Sequence, residues 1–259
     1  MPFCRFCGKE INEGETCTCA EAQAEANKAA GVAASAAGAQ AADALKDAAK
    51  AGSEVAGKAG VTCLEILKKP VTEGAKFIND TNYITAIGVV VLQSLLTAVF
   101  SLVIALKFNG ALKGLIKVSV VKPFFMSILF SLVATLLFTA ITFLTLKLLK
   151  LEVSLYQSLE IAGVRASLLS GGIAVAALLS LINIGWGLVV FVFAGILVFI
   201  EVYAVLNKKY EGASNKLVYG IIVSALVFVL VACFAFSKTY TWLLPKDMKS
   251  LWSLIKYFQ

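Results

Sequence analysis

Between Arg165 and Glu201 the chain runs for 35 residues, 166–200, without a charged side chain. One straight helix of that length would measure about 52 Å, well beyond the roughly 30 Å hydrocarbon core of a bilayer. Asn183, Gly185 and Gly187 interrupt the run near its middle, and residues of this kind mark turns. The stretch therefore reads as a tight helical hairpin, with one span over 165–183 and the next over 186–206.

Three further runs have the same character. Tyr83–Leu106 holds 24 residues without charge and is closed by Lys107. Pro123–Leu146 opens on a proline suited to a first helical turn and stops at Lys147. Leu217–Phe236 lies uncharged between Lys216 and Lys238. The expected fold is an all-α membrane protein, a bundle of five transmembrane helices over residues 83–236. Composition points the same way: 59% of the 259 residues are hydrophobic and 15% are charged. Soluble domains average about 45–50% and 25%, so lipid must solvate much of this surface. The net charge of +7 sits largely on lysines at the ends of apolar runs. That placement suits membrane orientation and anionic headgroups rather than nucleic acid.

The chain has no histidine. Ser-His-Asp and Cys-His catalysis, the HExxH protease motif and histidine-bearing metal sites are therefore excluded. Four of the six cysteines crowd into residues 4–19, as Cys4-Arg5-Phe6-Cys7-Gly8 and Cys17-Thr18-Cys19. Cys4, Cys7, Cys17 and Cys19 form a candidate tetrahedral Zn2+ site of the closed, structural kind. Gly8 permits the tight turn that aims both sulfurs of the first knuckle at one metal. So small a unit has almost no core, and metal binding would supply most of its folding free energy. The second knuckle is Cys-x-Cys rather than the commoner Cys-x-x-Cys, and a redox dithiol, a disulfide or a metal-free tail are the rival readings. A thioredoxin-like site needs a βαβ context that is absent from the sequence. Residues 1–19 carry Arg5 and Lys9 against Glu10, Glu13 and Glu15, too acidic a balance for a phosphate-binding surface.

Residues 20–60 contain 19 alanines, five glycines and no aromatic residue. Asp43, Lys46, Asp47, Lys50, Glu54 and Lys58 recur at helical spacing, with Glu54 four residues ahead of Lys58 in the favoured order. Alanine favours a helix while each glycine weakens it by about 1 kcal/mol. The expectation for 20–82 is a fluctuating, alanine-rich tether leading into a juxtamembrane segment. Beyond Phe236, residues 237–259 read as a short basic amphipathic helix: Met248, Leu251, Trp252 and Ile255 share one face. It would lie at the membrane interface or pack on the bundle.

Orientation is weakly encoded. With the N-terminus inside, nine basic residues flank the inner ends and eight the outer, a difference too small for the positive-inside rule to decide. No secretory signal pattern opens the chain, so the N-terminal thiols are expected in the reducing cytosol. The expected location is a cell membrane, crossed several times, with a cytosolic N-terminus.

Phe3-Cys4-Arg5-Phe6-Cys7-Gly8-Lys9-Glu10-Ile11 resembles the N-terminal zinc ribbons of many bacterial membrane proteins. The clustered spans, together with Ser154-Leu155-Tyr156-Gln157-Ser158-Leu159-Glu160-Ile161-Ala162-Gly163 ahead of the third, resemble the YIP1-like family. That resemblance implies a non-enzymatic membrane scaffold with no active-site residues to transfer. The leading expectation is thus an adaptor presenting a cytosolic zinc ribbon to a protein partner; a small-solute transporter or channel is the alternative. Intramembrane polarity separates them, and Gln93, Asn183 and Glu201 are the polar groups in question. Arg165 and Glu201 each lie 18 residues from Asn183. Both should sit about 27 Å from the turn, so an ion pair at the inner end of spans three and four is expected.

Overall fold

The computed structural model of the protein describes residues 3, 7, 10, 19, 20, 49–111, 119–211 and 214–243. Among them each uncharged run is helical, because a backbone in lipid must satisfy its own N–H and C=O groups. The described residues include seven helices: α1, described over residues 49–68, α2 Pro70–Phe77, α3 Tyr83–Ala111, α4 Val121–Leu148, α5 Leu155–Ile182, α6 Ile184–Lys209 and α7 Ser214–Leu243. Five of these, α3 to α7, are long and apolar enough to cross a membrane. Their outward side chains support that reading: Leu136, Leu178, Ile182, Trp186 and Leu230 are all exposed. A band of large apolar residues this wide is a surface for lipid, not water. The protein is membrane-embedded.

The chain divides into two compact units, Met1–Glu54 and Val55–Gln259. In the first, Phe3 and Glu10 form an isolated antiparallel bridge, with Cys4 and Cys7 between them in sequence. Cys4 and Cys17 lie outside the described residues, as do most of the expected tether and the expected amphipathic helix from Pro245 onward.

In the second unit the α5–α6 hairpin has one residue in its turn. Asn183 ends α5 and caps α6, its Oδ1 accepting the N–H groups of Gly185 at 2.8 Å and Trp186 at 3.4 Å. Gly187 acts in packing rather than in the turn: a Cβ there would meet the side chain of Ser180 and, at 2.7 Å, the carbonyl oxygen of Ala176. Further along, Gly172 faces Ala194 with no room for a side chain. Small residues let helix backbones approach in lipid, where no hydrophobic effect drives them together. Gly163 serves the same end between α5 and α3, since a Cβ would fall 2.7 Å from that of Ala86.

The segment before the first span packs more than its composition suggests. Ala59, Cys63, Ile66, Phe77 and Ile78 are buried. Val55 and Ala59 fill the space over Gly88, while Leu67 covers Gly171. The Cys63 thiol, 3.8 Å from the Ser167 carbonyl oxygen, is pushed up in pKa by burial. From Val55 the chain is therefore a collar on the bundle, because its few large apolar side chains find glycine-lined grooves.

The helices outrun the spans read from the sequence, most of all at two limits. The helix α5 begins at Leu155 rather than 165, capped by Ser154, whose hydroxyl accepts the Gln157 N–H at 3.0 Å. Consequently Glu201 is not the only carboxylate in a span helix; Glu160 is another. The helix α7 continues past Phe236 to Leu243.

Candidate functional site

Polar side chains meet first between α3 and α4. Gln93 Nε2 donates to Ser131 Oγ and to Thr97 Oγ1, both at 3.0 Å. Ser94 Oγ donates to the Val90 carbonyl oxygen at 2.8 Å and stands 3.0 Å from Ser131 Oγ. Gln93 is 4% exposed, yet its Oε1 has no hydrogen-bond partner. A buried amide oxygen left bare is costly, at about 1–3 kcal/mol.

Arg165 lies on the other side of the same interior. It is 6% exposed, and its guanidinium carbon stands 4.7 Å from the Phe138 ring centre and 5.3 Å from that of Phe228. Phe199 completes a three-ring cluster, 6.1 Å from each of the other two rings. Phe138, Phe199 and Arg165 each stand ten residues from Leu148, Lys209 and Leu155, the ends of their own helices on one side of the bundle. That is about 15 Å along each axis. Ring faces attract a desolvated cation by up to about 2 kcal/mol or more, but they accept no hydrogen bond in the guanidinium plane. The Nε–H is buried without a partner.

Arg165 does not pair with Glu201, against the expectation from sequence. Among the described residues the salt bridges are Lys76–Glu73 and Lys208–Glu211. Matching depth fixes neither azimuth nor side-chain direction: Cα–Cβ bonds tilt toward each helix's own N-terminus, hence oppositely in an antiparallel pair. Arg165 is also not at a helix end, because α5 continues to Leu155. Glu201 is half-buried on α6, beside the buried Val202.

Gln93 and Arg165 line one cavity of about 620 Å³, within the 300–1,000 Å³ usual for ligand sites. Its other polar atoms belong to Thr97, Ser127, Ser131 and Thr135, and the remaining wall is aliphatic and aromatic. Along α5 it extends from Arg165 to Ile173, about 12 Å. On the α4–α7 side the helices are clamped at one end, where Ser224 Oγ donates to Thr145 Oγ1 at 3.0 Å and Gly220 seats Leu149. The cavity opens further along that seam, where Val133 is 53% and Val231 39% exposed.

A second polar centre closes the end of the bundle nearest Leu155. Glu160 is fully buried and accepts three backbone N–H groups: Asn79 at 2.6 Å, Asp80 at 2.9 Å and Asn82 at 2.6 Å. Asp80 adopts the left-handed conformation (φ 71°), which aspartate tolerates better than most residues. Its carboxylate accepts Gln157 Nε2 at 2.7 Å and the Ser154 hydroxyl. The Tyr210 hydroxyl donates to Gln157 Oε1 at 3.3 Å, and burial, with the Asp80 carboxylate adding to it, pushes this phenol up to about 12. The Tyr83 and Tyr156 rings meet beside the loop, their centres 4.8 Å apart and their planes tilted by 41°.

The sequence reading missed Glu160 and the phenylalanine cluster. Glu160 had a signal: a lone acid between Leu159 and Ile161, with Asn79-Asp80-Thr81-Asn82 supplying loop donors upstream. Phe138, Phe199 and Phe228 had none, being three of 17 phenylalanines in uniformly apolar runs. Of the four ribbon cysteines, Cys7 and Cys19 are among the described residues and Cys4 and Cys17 lie outside them. No protein-family model matches the chain, and no curated protein or solved structure does so either.

Proposed function

We propose that the protein is a non-enzymatic, multi-pass membrane adaptor that presents a zinc ribbon, held by Cys4, Cys7, Cys17 and Cys19, to a cytosolic protein partner. The observation that carries this reading is the anchoring of the segment before the first span. A free tether would need nothing from the bundle, yet the 79–82 loop is locked to α5 by three hydrogen bonds to one buried carboxylate. The collar from Val55 seats on glycines of α3 and α5. Such an anchor gives a cytosolic module a firm base. The ribbon and YIP1-like resemblances support the same reading.

A photocrosslinking amino acid at Arg5 of the full chain, in native membranes, tests it. A discrete adduct that disappears in the Cys4→Ser, Cys7→Ser variant is the expected result. Adducts to lipid alone, or adducts indifferent to the cysteines, contradict it. The second reading, a solute transporter, is favoured by the 620 Å³ cavity. Its signature is solute flux in proteoliposomes that Arg165→Gln abolishes.

A further inference from the structure

We propose that the cavity between α3, α4, α5, α6 and α7 binds an anionic amphiphile, with the acidic head on Arg165 and the tail leaving through the α4–α7 seam. This inference stands apart from the adaptor reading, since it uses no residue of the ribbon.

The charge of the head follows from what Arg165 lacks. A guanidinium carries five N–H donors in one plane. Phe138 and Phe228 engage it through their ring faces. Among the described residues no acceptor meets those donors, and the buried Nε–H is bare. A buried cation without a counter-ion is strongly unfavourable, whereas a carboxylate or phosphate supplies two oxygens in the matching fork geometry. Gln93 refines the choice, because its bare Oε1 wants a donor. A head bearing both an anionic oxygen and a hydroxyl, such as a phosphate monoester, satisfies both residues; a carboxylate satisfies Arg165 alone.

The tail follows from the walls and the opening. Apart from Arg165, Gln93 and a few hydroxyls the lining is apolar, with Leu169, Ile173 and Phe191 along it. Val133 and Val231, at the mouth, lie on helices that face lipid. An inorganic anion would have to cross hydrocarbon to reach such a mouth, while an amphiphile already resides there.

The experiment uses the full chain purified in a neutral detergent. Thermal stability and native mass spectrometry follow titration with oleate, oleoyl lysophosphatidate, monoolein and inorganic phosphate. Saturable one-to-one binding of oleate or lysophosphatidate, at least ten-fold tighter than monoolein, is expected, and the stronger of the two identifies the head. Arg165→Gln should weaken that binding at least ten-fold, and Gln93→Leu should weaken lysophosphatidate more than oleate. Should Arg165→Gln fail to fold, Ala134→Phe, which fills the cavity and leaves Arg165 in place, must also abolish binding. Equal binding of monoolein, binding of inorganic phosphate as tight as of lysophosphatidate, or binding unchanged by Ala134→Phe would each overturn the proposal.

Discussion

The Glu160 carboxylate and the Asn82 backbone N–H are joined at 2.6 Å, tying the start of the first span to the side of the third. Asn79 and Asp80 donate to the other oxygen of the same group. Removing it strands three donors, each costing about 1–3 kcal/mol when buried. Glu160→Ala should therefore cost roughly 3 kcal/mol or more, and Glu160→Gln less, since one acceptor survives. Denaturation in detergent checks the order; a Glu160→Ala protein as stable as the parent would remove the loop from the account.

Close packing of α5 on α6 depends on Gly172 facing Ala194. Gly172→Ala should destabilise by about 1–3 kcal/mol through overpacking, and adding Ala194→Gly should restore part of the loss. Melting curves of the single and double variants decide it. Absence of rescue would mean the two helices do not meet at these residues.

Much of this architecture was legible in the sequence, because lipid imposes long uncharged helices and leaves few alternatives. The Asn183 turn was found because charge spacing bounded the run and an asparagine with two glycines lay at its centre. Placing span three at 165 failed for a physical reason. The Arg165 charge bounds the uncharged run, yet α5 continues through it to Leu155, because Arg165 is held by aromatic rings and Glu160 by amides 78 to 81 residues away in sequence. The Arg165–Glu201 expectation used axial distance alone, whereas the choice of partner depends on azimuth and on rings from α4 and α7.

That correction has a measurable consequence. Because Arg165 and Glu201 do not touch, Arg165→Met and Glu201→Gln should change stability additively, within about 0.5 kcal/mol. A double variant markedly more stable than the sum of the single losses implies would restore the ion pair.

Tyr210 makes stability fall at high pH. Its phenol ionises at about 12 in the folded protein, against about 10 in an unfolded chain. Between those values the unfolded chain releases a proton that the folded protein keeps. The contribution is whole below about pH 10 and is lost as pH rises to about 12. Melting temperature should decline across that window, and Tyr210→Phe should flatten the decline. An unchanged slope in Tyr210→Phe would assign the effect to other groups.

The adaptor reading requires the N-terminal unit to fold around metal, so the most direct measurement is zinc content per chain. Metal analysis of the full-length protein, purified without chelator, should give one zinc per chain, held by Cys4, Cys7, Cys17 and Cys19. In Cys4→Ser, Cys7→Ser the zinc should be lost while the melting of the membrane bundle stays unchanged. A content well below one, or zinc retained by that variant, would contradict the account.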